Sequence, residues 1–132
     1  MLFRSEFPRI DERRLGQRHR YVYTVSVPAD GNTQLAGATQ LYKHDLETGA
    51  RHVHDFGPGH VPGEFVFVPA RTGADEDEGW LVGLVIDTAG DVTDFTVLDA
   101  RAFDAPPLAR IRLGHRIPPG FHGNWFPARA PA

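Results

Sequence analysis

The stretch "GEFVFVPARTGADEDEGWLVGLVID" (residues 63–87) decides the fold class. It holds two runs rich in valine, leucine, isoleucine and aromatic residues, at 63–69 and 79–87, a composition typical of strands. Between them "TGADEDEGW" (72–80) predicts a solvated acidic hairpin tip; a calcium loop is the alternative, but the EF-hand spacing is absent. Because "WLVGLVI" (80–86) is nearly continuous in apolar residues, we expect this strand to be covered on both faces.

The same pattern extends along the whole chain of 132 residues, which contains 14 glycines and 11 prolines. Connectors such as "PADGN" (28–32) carry turn chemistry, and no window predicts an amphipathic helix. The sequence thus predicts an all-β antiparallel meander. Two architectures satisfy this pattern equally well: a small sandwich or barrel, and about two four-stranded propeller blades. Seven strands are predicted, at 20–27, 39–46, 50–56, 63–69, 79–87, 94–100 and 107–113.

Composition excludes several classes of function. Cysteine is absent, so disulfides, thiolate metal sites and a cysteine nucleophile are ruled out. The net charge is −3. Phosphate binding needs a clustered basic face; the basic run "RIDERRLGQRHR" (9–20) is interpreted as a solvated loop, and nucleic acid is not expected as a partner. No apolar run approaches a membrane span and no signal-peptide pattern is present, which favours a cytoplasmic protein.

Seven histidines make metal binding the first chemistry to consider. His52 and His54 are two apart on a predicted strand and therefore share a face, but the spacings that a cupin requires are missed both here and at "PPGFHGN" (118–124). We interpret this pair as surface histidines. The other histidines in polar or turn contexts are expected to be exposed: His19, His44, His60 and His115. Nucleophilic catalysis has no support, because the chain lacks G-x-S-x-G, P-loop and dinucleotide motifs.

Three polar residues stand in apolar contexts. Glu6 precedes Phe7 and Pro8, Glu64 begins the most apolar strand, and His122 lies in "RIPPGFHGNWFP" (116–127) between glycines and aromatic residues. Burying each group alone is costly. If they meet, a carboxylate can accept the Nδ1–H of a histidine whose Nε2 binds a metal. The alternative is exposed strand-end glutamates and a histidine bonded to a backbone carbonyl.

The segments around these residues also resemble a known family. "EFPRID" (6–11), "HDFGPGHVPGEFVFVP" (54–69) with "EDEGWLV" (76–82), "FTVLDA" (95–100) and "ARIRLGHRIPPGFHGNW" (109–125) follow, in order and spacing, the C-terminal part of the carotenoid cleavage oxygenases. That family includes carotenoid and apocarotenoid dioxygenases, the retinoid isomerase of the eye and bacterial lignostilbene dioxygenases.

The resemblance implies a fold, a cofactor and site residues. Members are seven-bladed β-propellers with a non-haem Fe(II) held on the axis by four histidines. His122 matches the last of these, and Glu6 and Glu64 match two of the three glutamates that orient the iron ligands. The enzymes use O2 to cleave a double bond of an apolar polyene or stilbene into two carbonyl products. Phe7 and Phe121, beside the matched residues, are expected to line the substrate cavity, with simple core packing as the alternative.

The chain departs from the family in length, because the other three iron ligands and the third glutamate lie upstream of the matched region. The first interpretation is therefore that residues 1–132 form a single C-terminal fragment, roughly the last two blades of the propeller, which is inactive and poor in iron by itself. The second is an autonomous, non-enzymatic small β domain that self-associates through open strand edges. In the first interpretation, the glycines around His122 let the backbone approach the metal, and the aromatic residues keep the site dry.

Overall fold

The computed structural model describes residues 4–28 and 37–128. It contains one 3-10 turn, Glu12–Arg14, and eight strands where the sequence predicted seven; the predicted turn at 28–32 lies, apart from Pro28, outside the described residues. The strands are β1 (Ser5–Arg9), β2 (Tyr21–Ser26), β3 (Gln40–Asp45), β4 (Arg51–Asp55), β5 (His60–Pro69), β6 (Gly79–Asp87), β7 (Val92–Asp99) and β8 (Ala109–Arg112).

The strands form two four-stranded antiparallel sheets, β1-β2-β3-β4 and β5-β6-β7-β8. Each sheet is a meander in which neighbours along the chain are neighbours in space. The prediction of seven strands was one short, because the sequence reading missed β1. That strand is short, contains Pro8 and has an irregular register, so it lacks the alternation by which half-buried strands are recognised.

The hairpin predicted at 63–87 is present as β5 and β6, with Phe67 opposite Leu81. β5 begins at His60, three residues earlier than predicted, and includes Pro62 opposite Val85. Pro62 is tolerated because β5 is an edge strand, where a missing N–H need not break the ladder.

The two sheets pack face to face around one core. Inward-facing side chains of both sheets meet there, and Leu81 and Leu98 are essentially inaccessible to solvent. Alternation along β6 turns Leu81 and Val85 toward the core and leaves Val82 and Leu84 half-buried on the other face. β6 is thus partly covered on its second face. The core cluster is Tyr23, Val25, Ala38, Leu41, Phe56, Phe65, Phe67, Leu81, Val85, Leu98, Ala100 and Phe103.

The acidic β5–β6 tip, predicted to be solvated, is only partly so: Thr72, Gly73 and Asp75 are exposed, but other residues of the tip are not. Glu76 is buried, and its Oε1 accepts the backbone N–H groups of Arg20 and Tyr21 at 2.6 and 2.8 Å. Its Oε2 lies 3.4 Å from the Arg14 guanidinium. The carboxylate therefore joins the second sheet to the start of β2 in the first.

The basic run 9–20 is likewise not a freely solvated loop. Asp11 is buried and forms an ion pair of 2.7 Å with Arg13. The Arg13 guanidinium also donates to the carbonyl oxygen of Ala74, at 3.1 Å, in the acidic tip. Basic and acidic segments distant in sequence thus satisfy each other between the sheets. Within residues 4–28 and 37–128, no helix has the length and apolar character needed to cross a membrane.

Candidate functional site

The segment 117–125, which follows β8, carries His122 and is called the C-terminal segment below. It begins where the backbone N–H of Ile117 donates to Oγ1 of Thr93, at 2.9 Å. Thr93 is fully buried at the start of β7. One end of the segment is therefore anchored to the second sheet.

A cavity of about 350 Å³ lies between the C-terminal segment and the face of the second sheet that points away from the core. Its wall is mostly apolar; the polar members are Glu64, Thr93, His122 and Asn124. Such a lining suits an apolar ligand or an apolar packing partner. The apolar wall includes Val82, Leu84, Ile86, Phe95, Ile117 and Trp125.

Glu64 owes its position to an irregularity in β5. Pro62 pairs with Val85 and Phe65 pairs with Gly83, so three steps along β5 face two steps along β6. A bulge of this kind inserts one extra residue and re-aims a side chain. Here it allows Pro62 and Phe65 both to face the core while Glu64 turns toward the C-terminal segment.

Glu64 and His122 are brought together as the sequence hypothesis required. Glu64 Oε1 lies 3.2 Å from Nδ1 of His122, and Glu64 Oε2 accepts the backbone N–H of Gly123 at 2.8 Å. The Glu64 side chain is only 5% exposed, whereas that of His122 is 73% exposed. A buried carboxylate therefore holds one nitrogen of an accessible imidazole.

This pairing assigns the roles of the two ring nitrogens. An ionised carboxylate only accepts hydrogen bonds. Nδ1 of His122 therefore carries a proton and donates it in a hydrogen bond to Glu64. Nε2 of the neutral ring is then unprotonated and available as a ligand. A carboxylate on the far nitrogen of a metal-binding histidine also raises its basicity.

Phe7 reaches the same place from the first sheet. Between Glu6 and Arg9 the register of β1 against β2 shifts by one residue, and Phe7 has a φ of 56°. That left-handed conformation costs a non-glycine residue about 1–2 kcal/mol. It places the Phe7 ring 5.4 Å, centroid to centroid, from the His122 ring and 6.4 Å from that of Phe121, both edge-to-face.

Arg9 is a member of the site that the sequence reading missed. Its guanidinium contacts Glu64, the carbonyl oxygen of Gly123 and the side chain of Asn124. Arg9 begins the basic run 9–20, for which the sequence predicts a solvated loop. The signal that could have found it is its position in "EFPRID", among apolar residues rather than in the polar part of the run.

Glu6 is the one predicted site residue for which no contact with His122 is seen in the described chain. Glu6 is exposed on β1 and makes no hydrogen bond to His122 within the described chain, so its proposed role in orienting a metal ligand stays a prediction. The aromatic residues of the C-terminal segment were expected to keep the site dry, but Phe121 and Trp125 are 74% and 47% exposed. Within the described residues they do not enclose it.

Four of the remaining histidines are less exposed than predicted. His54 is not a surface residue: it is buried, its Nδ1 lies 3.0 Å from the carbonyl oxygen of Phe103, and its ring packs on Phe56. The loop after β7 covers this end of β4 but leaves His52 exposed. His44 is half-buried rather than exposed, and its Nε2 bonds to the Thr24 hydroxyl at 2.9 Å. Burial lowers the pKa of His44, and the nearby Arg51 lowers it further.

His19 and His60 are also half-buried, whereas His115 is exposed as expected. In the part of the chain that the structure describes, no three histidine or carboxylate side chains are grouped so that they could hold a metal ion. Among the described residues, His122 is an exposed imidazole whose Nδ1 is held by a buried carboxylate.

Comparisons of the sequence and of the structure with known proteins both identify the same protein family. A profile of the retinal pigment epithelial membrane protein family matches residues 3–127. The carotenoid cleavage oxygenase of Mycobacterium tuberculosis is 41% identical over 126 residues, covering 93% of this chain and 25% of that protein. The apocarotenoid-15,15'-oxygenase of Synechocystis is 36% identical, covering 91% and 24%. The chain thus spans about a quarter of the length of these relatives.

Solved structures superpose closely on the two sheets. The cobalt-substituted apocarotenoid oxygenase of Synechocystis aligns with a TM-score of 0.85 at 33% identity, over 94% of this chain and 26% of that one. The lignostilbene dioxygenase of Pseudomonas brassicacearum aligns with a TM-score of 0.87 at 28% identity, over 96% and 28%. These neighbours are β-propellers, so the two sheets correspond to part of a propeller, and the all-β prediction with its blade alternative is confirmed.

Proposed function

Because this chain belongs to the retinal pigment epithelial membrane protein family, we propose that it is the C-terminal part of an oxygenase that cleaves a carbon–carbon double bond. The substrate class is an apolar polyene, such as a carotenoid or apocarotenoid, or a stilbene. The support is the naming of its relatives as carotenoid, apocarotenoid and lignostilbene oxygenases.

The reaction consumes one O2 for each double bond. Both bonds between the two carbons break, each carbon takes one oxygen atom, and two carbonyl products leave. The atoms balance without an external reductant. The cofactor we propose is Fe(II), which when bound supplies the redox chemistry that lets O2 react with an otherwise unreactive double bond.

The observation that carries the proposal is the pairing of Glu64 with His122 at 3.2 Å. A buried glutamate that accepts from the Nδ1–H of an exposed histidine orients Nε2 as a neutral ligand. Imidazole is a ligand suited to non-haem iron. A relative crystallised with cobalt in place of its own metal supports a metal site in the family.

His122 is proposed to supply one of the iron ligands, and the others are proposed to come from residues of a longer protein. Glu6 is proposed to orient one of those other histidines, which agrees with its exposure at the end of β1. Phe7 and Phe121 are proposed to line the substrate cavity nearest the metal. Phe121 lines the cavity described above, and Phe7, which does not, packs its ring against Phe121 and His122.

The test uses the proposed longer protein, loaded anaerobically with ferrous iron and desalted. We expect near-stoichiometric iron and O2-dependent formation of two aldehydes from one member of a panel comprising a carotenoid, an apocarotenoid and a stilbene. His122→Ala should lose both iron and cleavage, whereas His52→Ala, on an exposed strand position, should lose neither. Full activity of His122→Ala would overturn the assignment.

A second measurement tests the incompleteness of the site. The 132-residue chain, loaded and desalted in the same way, should retain little iron and show no cleavage, since one imidazole does not hold Fe(II) against water. Near-stoichiometric iron in this chain would contradict the proposal. Self-association through open strand edges and a cytoplasmic location stay predictions, which sedimentation velocity and cell fractionation check.

A further inference from the structure

We infer that Arg9 is a positioning residue for the metal-ligand pair: its guanidinium fixes the Glu64 carboxylate and the backbone after His122, so that Glu64 Oε1 faces Nδ1 of His122. The expected effect of Arg9 on iron binding rests on the proposed function. The positioning of Glu64 and of the backbone after His122 rests only on the contacts that Arg9 makes.

Arg9 makes contacts that no other side chain in this region combines within the described chain. Nη1 donates to Glu64 Oε2 at 3.2 Å and to the carbonyl oxygen of Gly123 at 2.8 Å. Nη2 donates to Asn124 Oδ1 at 3.1 Å and to Glu12 Oε1 at 2.5 Å. One guanidinium thereby joins β1, β5 and the C-terminal segment, although Arg9 and Gly123 are 114 positions apart.

The contacts divide the two oxygens of Glu64 between two tasks. Arg9 and the backbone N–H of Gly123 both bond to Oε2. Oε1 is left to His122. A carboxylate held at one oxygen by two donors from different elements has little freedom to rotate, so its second oxygen is presented to the imidazole in one orientation.

Charge and burial explain why an arginine is needed here. The side chains of Arg9 and Glu64 are 14% and 5% exposed, and a buried carboxylate without a cationic partner is strongly unfavourable. The planar guanidinium presents several donors in a fixed fork and can reach acceptors on different elements at once. A lysine in the same place would neutralise Glu64 but could not reproduce that spread of hydrogen bonds.

The experiment measures amide hydrogen exchange by NMR in the 132-residue chain without metal. It compares the unmodified chain with Arg9→Gln, Arg9→Lys and the control Arg116→Gln, an exposed arginine whose guanidinium lies 3.5 Å from Asp91 rather than near Glu64. We expect exchange of the Gly123 amide to accelerate about tenfold or more in Arg9→Gln, since bonds to charged groups are the strong ones. Arg9→Lys should show a smaller acceleration, and Arg116→Gln none.

Amides of β6 and β7 separate positioning from general stability. If Arg9 is a positioning residue, the core amides of Arg9→Lys should exchange at the same rate as in the unmodified chain, whereas the Gly123 amide should exchange faster. If the core amides and the Gly123 amide accelerate together in both Arg9 variants, Arg9 is a structural residue and the inference is wrong. Unchanged Gly123 exchange in Arg9→Gln, or equal acceleration in Arg116→Gln, also overturns it.

A second arm connects Arg9 to iron in the longer protein. Transfer of iron to a chelator should be about 10- to 100-fold faster in Arg9→Gln, the range for lost partners of metal ligands, and unchanged in Arg116→Gln. If His122→Ala retains iron, the proposed function fails while the exchange result on Arg9 stands. If His122→Ala loses iron but Gly123 exchange is insensitive to Arg9, only the inference on Arg9 fails.

Discussion

Glu64 and His122 are 58 positions apart in the sequence, yet Glu64 Oε1 lies 3.2 Å from Nδ1 of His122. The contact joins β5, an edge strand of the second sheet, to the C-terminal segment, which follows the last strand of that sheet. Two hydrogen bonds to the other carboxylate oxygen, from Arg9 and from the backbone of Gly123, hold the glutamate in place. The pair is therefore a product of packing between elements and not of local sequence.

In the proposed longer protein, Glu64→Gln should weaken iron binding or turnover about 10- to 100-fold. The amide keeps the size of the side chain but removes the charge that favours a protonated Nδ1 and a basic Nε2. Iron content after chelator challenge and steady-state turnover measure the effect. Glu47→Gln, at an exposed turn, is the matched control and should match the unmodified protein; an unchanged affinity and rate in Glu64→Gln would mean that Glu64 is only a strand end.

Lys43→Met should reduce the free energy of unfolding by about 2–4 kcal/mol. Lys43 is buried, and its Nζ donates to Asp77 Oδ2 at 2.9 Å and to the carbonyl oxygen of Ala100 at 2.8 Å. Burial raises the pKa of Asp77, but hydrogen bonds from Lys43 and Arg101 outweigh it and leave that pKa below its ordinary value. Methionine fills the space but leaves Ala100 without its donor and Asp77 with Arg101 alone.

Urea denaturation of the 132-residue chain measures this difference. The control is Arg18→Met, which removes an arginine whose side chain is 86% exposed beside Glu47. It should change stability by less than about 0.5 kcal/mol. Equal effects of the two substitutions would contradict a specific role for Lys43 between the sheets.

Gly83→Ala should destabilise the protein by about 1–3 kcal/mol through overpacking. A methyl group on Gly83 would lie 2.5 Å from Cδ2 of Phe65, the residue opposite in the ladder. Because Phe65 is buried in the core, its ring cannot move away without disturbing its neighbours. Gly120→Ala is the control, since no atom lies within 4 Å of the added carbon there; thermal denaturation should show it unchanged, and a tolerated Gly83→Ala would disprove the predicted clash.

Stability should fall with acid in a way that depends on Asp45. The Arg20 guanidinium beside Asp45 holds the pKa of that carboxyl well below its usual range; burial opposes this, and Thr48 and the backbone N–H of Glu47 add to it. A depressed carboxyl pKa contributes stability that is fully present above the unfolded-state pKa, about 3.9. The contribution is lost as the pH falls through the folded-state pKa.

Asp45→Asn should therefore be less stable than the unmodified chain at pH 5–8, and the difference should shrink as the pH falls below about 4. Denaturation midpoints at a series of pH values measure it. Asp104→Asn, at a position that is 69% exposed, should leave the profile unchanged. A difference for Asp45→Asn that stays constant down to pH 2 would exclude the ionised carboxylate as its source.

Local sequence patterns predicted seven of the eight strands in the described part of the chain, because apolar runs and turn residues mark where such strands begin and end. In β6 the apolar residues are nearly continuous, and the strand is buried on its core face and half-buried on the other. β1 escaped because its five residues include Pro8 and a bulge at Phe7. The acidic tip and the basic run were read as solvated because charge usually means exposure. The hydrogen bonds that join them, and the ion pair between Arg14 and Glu76, link segments more than 50 positions apart.

By itself the sequence determined the fold class and singled out Glu64 and His122, because turn residues, apolar periodicity and a polar residue in an apolar setting are all local features. Only the tertiary structure decided that Glu64 meets His122, that Arg9 belongs with them, and that Glu6 does not contact His122. The physical reason is that a buried charge needs a partner. Which partner it finds depends on the register of strands, on bulges and on how two sheets pack, none of which is written in the residues on either side of it.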